Sequence, residues 1–248
     1  MIPKIIHYVW LSDQPKPKLA RSCIASWQQQ LPGYEIREWS RKDFDFSAMP
    51  DFVTEALNAG KWAFATDYLR LYILYTVGGI YLDSDVLVKR KLDCFLDNGF
   101  FSFVEFHKKG FAPYSHLIDG EGNPLTGEHI PGFGIQAAFM GAEKGHPFLQ
   151  TCMNWYDARH YGQGNPLLAP DVFALCAREY GFVYKDQRQE LRERICVYPS
   201  GYVAGAPAEA RRGNYAVHVC AGSWRSYGRV KRALVELRNR WLLKSSRK

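Results

Sequence analysis

The segment Gly78-Gly79-Ile80-Tyr81-Leu82-Asp83-Ser84-Asp85 constrains this chain more than any other. Upstream, residues 52–58 lead into an apolar helical stretch over 61–77, which the two glycines stop. Residues 80–82 then read as a short buried strand that ends on two acids, and residues 86–88 can extend it. Two residues apart on an extended segment, Asp83 and Asp85 face one way and address a spot ~7 Å across. Like charges that close repel by ~2 kcal/mol at an effective dielectric near 20. They call for a cation, and carboxylate oxygens suit a hard divalent ion, Mn2+ or Mg2+, with positions left over for phosphate oxygens. An isolated Asp-x-Asp is more often a solvated turn. Its place after a strand entered from a helix argues otherwise, because ligands of open α/β sheets bind beyond the carboxyl ends of the strands.

The rest of the chain supports such a sheet. Ile2 to Trp10 reads as a strand, 19–29 as a helix and 34–39 as a second strand, a β-α-β order that favours parallel pairing with crossover helices. Residues 100–106, 135–140, 195–198 and 215–220 are further strands; 147–161 and 171–180 are helices. Between them, 108–134 is rich in Gly, Pro and His without periodicity and reads as a long functional loop or lid. The expectation is a single α/β domain over 1–224.

Four more features are candidates for chemistry. Asp67 and Arg70 share a helix face; they form either a surface ion pair or a grip on a donor's sugar and phosphate. His218 is either a satisfied core histidine or a metal ligand. His7 and Trp10 are either core or the lining of a base pocket. Gly222-Ser223-Trp224 offers a hydroxyl and an indole N–H suited to a diphosphate.

Taken in order, these pieces resemble the DXD-containing sugar-binding glycosyltransferases, family thirty-two, which groups capsule and lipopolysaccharide glycosyltransferases with yeast initiating mannosyltransferases. The resemblance rests on residues 2–10, Pro15-Lys16-Pro17, 23–27, 32–34, 65–70, 74–85, 140–147, 216–218 and 222–224. It implies a GT-A fold, a Rossmann-like nucleotide-binding sandwich with a mostly parallel central sheet and helices on both faces. It also implies a nucleotide-diphosphate sugar donor, Mn2+ or Mg2+, and retention at the anomeric carbon. Residue by residue, Val9 and Trp10 would line the base pocket, and Asp67 and Arg70 would hold the donor sugar. Asp83 and Ser84 would meet the donor, Asp83, Asp85 and His218 the metal, and Ser223 and Trp224 the β-phosphate. Gln136 is the candidate for the sugar's far side, and a UDP-sugar is favoured over a GDP-sugar. The acceptor would be a saccharide or a lipid-linked saccharide of surface polysaccharide synthesis. Two departures stand out: Val219-Cys220 follow His218 where many relatives carry a second His and a Trp, and Ala169-Pro170-Asp171 replaces Thr-Gly-Pro.

Two competing readings share some of these features. A sugar-nucleotide hydrolase or nucleotidyltransferase would use the same acids and ion. A nucleic-acid-binding module would fit the formal charge of +7 and the 15% aromatic content, but needs bases and aromatics interleaved on one face. Here nine of the 32 bases, and one of the 25 acids, lie in 225–248, which leaves 23 bases and 24 acids in 1–224. That tail carries an apolar stripe of Val230, Leu234, Leu237 and Trp241. It reads either as a helix packed on the domain or as a peripheral anchor on an anionic membrane. The start of the chain lacks a secretory-signal layout and the six cysteines are dispersed, so the expected location is the cytoplasm or the inner face of the cell membrane.

Overall fold

The computed structural model describes residues 1–163, 167–206 and 209–220; Ser223, Trp224 and the basic tail lie outside the described residues. In chain order the elements are β1 (Ile5–Val9), α1 (Lys18–Gln30), β2 (Glu35–Trp39), α2 (Asp51–Asn58), α3 (Trp62–Val77), β3 (Gly79–Leu82), β4 (Val86–Val88), β5 (Phe100–Phe106) and α4 (Lys108–Phe111). There follow β6 (Phe133–Ile135), β7 (Phe139–Ala142), α5 (Pro147–Asp157), α6 (Ala169–Arg178), β8 (Gln189–Leu191), β9 (Ile195–Tyr198), β10 (Val203–Ala204) and β11 (Ala216–His218). The central sheet runs β2-β1-β3-β7-β5-β9-β8, with β6 paired to β5; a second sheet runs β10-β11-β4.

Each face of the central sheet carries its own core. On one, α3 packs against α2 and α5, and α6 against α5; α3 is apolar nearly all round because it has neighbours on several sides, burying Ala65, Leu69, Leu71, Ile73 and Leu74. On the other, Ala20, Cys23 and Trp27 form the buried stripe of α1, and Trp27 donates its indole N–H to the Val86 carbonyl at 2.8 Å. Phe95, Phe101, Phe103 and Phe139 complete that side.

The sheet is mixed rather than mostly parallel. β1 pairs in parallel with β2 and β3, and β5 with β9, but β7 runs antiparallel between β3 and β5. The strand expected over 135–140 is therefore two, β6 and β7, separated by a crossing at 136–138. Likewise β4 does not extend β3. It turns away at Ser84 and Asp85 and pairs antiparallel with β11. Nor is 108–134 without structure. It holds α4, a 3-10 turn over Ala112–Leu117 and a bend in which the Asp119 carboxylate accepts the N–H groups of Glu121 and Asn123, each at 2.8 Å. Arg178 of α6 donates to the carbonyls of Thr126, Gly127 and Glu128. Side chain-to-backbone bonds hold this segment, which is why it shows no periodicity in the sequence.

The glycine pair is dictated by close approach. Gly78 and Gly79 have φ of +77° and +118°, and a Cβ on Gly79 would stand 2.7 Å from the Ile5 carbonyl and 2.8 Å from His7 Nε2. His7 is a core residue: Nε2–H donates to the Gly78 carbonyl at 2.8 Å, and Nδ1 accepts from the Trp39 indole at 3.0 Å. Burial lowers its pKa from 6.5 to about 4. Between those values the unfolded chain takes up a proton that the folded chain refuses, so stability is full above pH 6.5 and falls as the pH drops towards 4. The expected loss is roughly 3 kcal/mol. Urea titrations across this range check it: the His7 contribution to the slope should vanish in His7→Gln, which cannot titrate.

Candidate active site

Asp83, Ser84 and Asp85 occupy the turn that carries the chain from one sheet to the other. The Val86 N–H closes it on the Asp83 carbonyl at 2.9 Å, and the Asp83 N–H is fixed to the Ala138 carbonyl at 2.8 Å. The two acids thus converge through a turn, not through the pleat of one extended strand. The third partner arrives from the far end of the chain. β11 pairs His218 with Val86, and the Val219 N–H reaches the Asp85 carbonyl at 3.1 Å. His218 Nε2 then lies 3.4 Å from Asp85 Oδ1. One ligand atom from each of Asp83, Asp85 and His218 lies within 4.8 Å of the others.

His218 is half-buried at this rim. Burial pulls its pKa down, but the adjacent Asp85 carboxylate outweighs that, and the net effect is well above the usual imidazole value. Two carboxylates and, once it has released its proton, the imidazole fit a hard divalent cation in donor type and spacing.

Arg70 lies behind the acids, and it is not a surface residue. It is 5% exposed, and its guanidinium is spent on the protein. Nε donates to the Thr66 carbonyl at 3.2 Å and Nη1 to the Ala137 carbonyl at 2.8 Å. Nη2 lies 2.9 Å from Asp67 and 3.6 Å from Asp83. Burial opposes its charge, yet Asp83, Tyr81 and Asp67 more than offset this and keep it cationic. Asp67 is raised to about 7, by burial first; Arg70 opposes the shift and Asp83 adds to it. Tyr81 donates its phenol to Asp83 at 2.9 Å and lies under the Arg70 guanidinium, 5.1 Å from ring centroid to carbon. Arg70 and Tyr81 thus fix the orientation of Asp83.

The remaining expected residues divide. His7 pairs with Tyr81 in the parallel register, and β1 and β3 end on Val9 and Leu82 at the same carboxyl edge. Val9 and Trp10 are half-buried; the Trp10 indole N–H donates to the Gln14 carbonyl at 3.1 Å, and the Lys16 ammonium stands 5.6 Å over its ring. Gln136 belongs to the crossing whose next two carbonyls hold Arg70 and Asp83. Its own side chain is buried, with Oε1 accepting the Ala138 N–H at 3.1 Å. Sequence reading missed Tyr81, although its position two residues before Asp83 on a strand was signal enough. A surface cleft of about 580 Å³ lies elsewhere, along Asn123, Pro124, Arg178 and Phe182, and shares no residue with the acid cluster.

Residues 1–165 match the family described as capsular polysaccharide synthesis protein. The chain belongs to that family. Asp67, Arg70, Asp83, Asp85 and Gln136 fall within the matched residues, and His218 beyond them. Among curated relatives, the family member is 32% identical over 154 residues to inositol phosphoceramide mannosyltransferase 3 of Schizosaccharomyces pombe, covering 60% of this chain and 35% of that one. It is 29% identical over 125 residues to the uncharacterized glycosyltransferase L373 of Acanthamoeba polyphaga mimivirus, covering 48% and 50%. The chain thus spans between about a third and a half of the length of these relatives. Among solved structures it is similar to the PaToxG glycosyltransferase, at a TM-score of 0.51 and 16% identity, over 72% of this chain and 69% of that one. The shared architecture is the GT-A fold implied by the sequence resemblance.

Proposed function

We propose that this chain is a metal-dependent, retaining glycosyltransferase that moves a sugar from a nucleotide-diphosphate sugar, with UDP favoured, to a saccharide or lipid-linked saccharide acceptor in surface polysaccharide synthesis. The observation that carries the reading is the convergence of Asp83, Asp85 and His218 at the carboxyl edge of a GT-A sheet. Mn2+ or Mg2+ bound by these three would supply counter-charge for the diphosphate that departs as the sugar–phosphate bond breaks. Arg70 and Tyr81 hold Asp83 in place, and Asp67, partly open beside them, is placed to accept a hydroxyl of the donor sugar. No side chain at the site stands out as a nucleophile, so the acceptor hydroxyl is taken to attack from the leaving-group face and give its proton to the departing phosphate.

Incubating the full chain with Mn2+ and a panel of UDP- and GDP-sugars, with and without saccharide acceptors, tests the reading. Nucleoside diphosphate release should rise with acceptor, and the sugar should appear on it. Free sugar released at a rate indifferent to every acceptor would instead make the protein a sugar-nucleotide hydrolase.

A further inference from the structure

The near-neutral count of residues 1–224 conceals an uneven distribution. At the end of β4 remote from Asp85 the chain continues as Lys89-Arg90-Lys91, and the turn before β11 contributes Arg211 and Arg212. These are about 120 residues apart in sequence, and the sheet joins them: the Lys89 N–H donates to the Tyr215 carbonyl at 2.8 Å, Lys89 Nζ to the Arg211 carbonyl at 3.0 Å, and Arg90 Nη1 to the Gly213 carbonyl at 3.2 Å. Four of the five are exposed and Lys89 is half-buried. Among the described residues none of the five is ion-paired, and the neighbouring Asp93 is engaged by Lys4 at 2.7 Å. Five clustered charges of one sign, none of them in an ion pair among the described residues, repel each other, a cost that an anionic surface removes.

We infer that this end of the β10-β11-β4 sheet docks on a membrane surface rich in anionic lipid. Its charge and the state of the nearby rings select that occupant. The aromatic faces nearby are already taken: Tyr202 and Tyr215 stack 5.4 Å apart at 12°, and the Arg90 guanidinium covers Tyr215 at 4.3 Å. Among the described residues around the patch, these rings leave no open face on which a nucleic-acid base or a sugar could stack. Lys89 is four residues beyond Asp85, so the acid cluster would stand roughly 13 Å above the surface. The inference does not depend on the transfer reaction.

The test compares the full wild-type chain with a Lys91→Gln, Arg211→Gln, Arg212→Gln triple variant, changed at side chains that make no contact needed by the fold. Both are sedimented with vesicles of phosphatidylcholine mixed with phosphatidylglycerol and with vesicles of phosphatidylcholine alone. Wild type should bind the mixed vesicles alone, and the variant should bind them about a hundredfold more weakly, a fewfold per cation lost, with an unchanged melting temperature and unchanged turnover of soluble substrates. Binding by the variant within a fewfold of wild type would overturn the inference. So would no binding by wild type, equal binding to both vesicles, or tighter binding to single-stranded nucleic acid or an acidic polysaccharide than to the mixed vesicles.

Discussion

Asp85→Asn is expected to lower sugar transfer about a thousandfold while leaving the fold intact. The substitution keeps the shape of the side chain and the Asp85 carbonyl that receives the Val219 N–H. It removes the charge that faces His218 at 3.4 Å and one of three ligand atoms from the cluster. Stabilisation of a leaving diphosphate by a divalent ion is worth several kcal/mol, and ~4 kcal/mol is about three powers of ten in rate. Mn2+ titration followed by electron paramagnetic resonance should show weakened binding, and the melting temperature should hold, since relief of the repulsion between Asp83 and Asp85 offsets the lost attraction to His218. Excess EDTA should bring wild type down to the level of the variant. Wild-type turnover by Asp85→Asn, or full activity in EDTA, would remove the metal role and with it the assignment of this turn.

Arg70→Met should have the largest effect on stability, a loss of about 3 to 5 kcal/mol, which is the usual consequence of leaving buried charges without their partner. The variant leaves Asp67 and Asp83 without the cation between them and the Ala137 carbonyl without its donor. Urea unfolding at neutral pH measures this. The deficit should shrink as the pH is lowered, because in the variant Asp67 loses the cation that opposes the effect of its burial and protonates more readily in the folded state. The neutral form needs no cation. Arg70→Lys should recover part of the stability but less of the activity, since an ammonium cannot span Thr66, Ala137 and both acids as the guanidinium fork does. A loss under ~1 kcal/mol for Arg70→Met would show that the two acids find another partner and that Arg70 does not position Asp83.

Much of this was legible beforehand, and the reason is local in each case. The helix over 61–77 and the strand after it follow from an apolar run ended by two glycines whose positive φ no other residue accepts as readily. The β-α-β start follows from a β-rich apolar run, then a helical stretch stopped by Pro32-Gly33, then alternation over 34–39. Illegible were the features built from side chain-to-backbone bonds, such as the 108–134 segment, and those set by strand order, such as the antiparallel β7. The strand expected over 135–140 is broken at 136–138 because those residues bond to Phe103, Asp83 and Arg70 in three different elements.

The site shows the same division. The residue types and spacing of Asp83 and Asp85, their placement after a strand, and the pairing of Asp67 with Arg70 were all determined by the sequence, because neighbours along a chain have their relative positions set by backbone geometry. Whether Arg70 faces solvent or a buried pair of acids, and whether His218 sits in the core or beside Asp83 and Asp85, was decided by tertiary structure. In the first case the decision came from α3 lying against the crossing at 136–138. In the second it came from a hydrogen-bonded ladder between β4 and β11 that brings together residues 133 positions apart. Composition counts charges, and the fold places them. Asp83 and Asp85 gained an imidazole, and the cations of β4 gained those of the turn before β11, through the pairing of the same two strands.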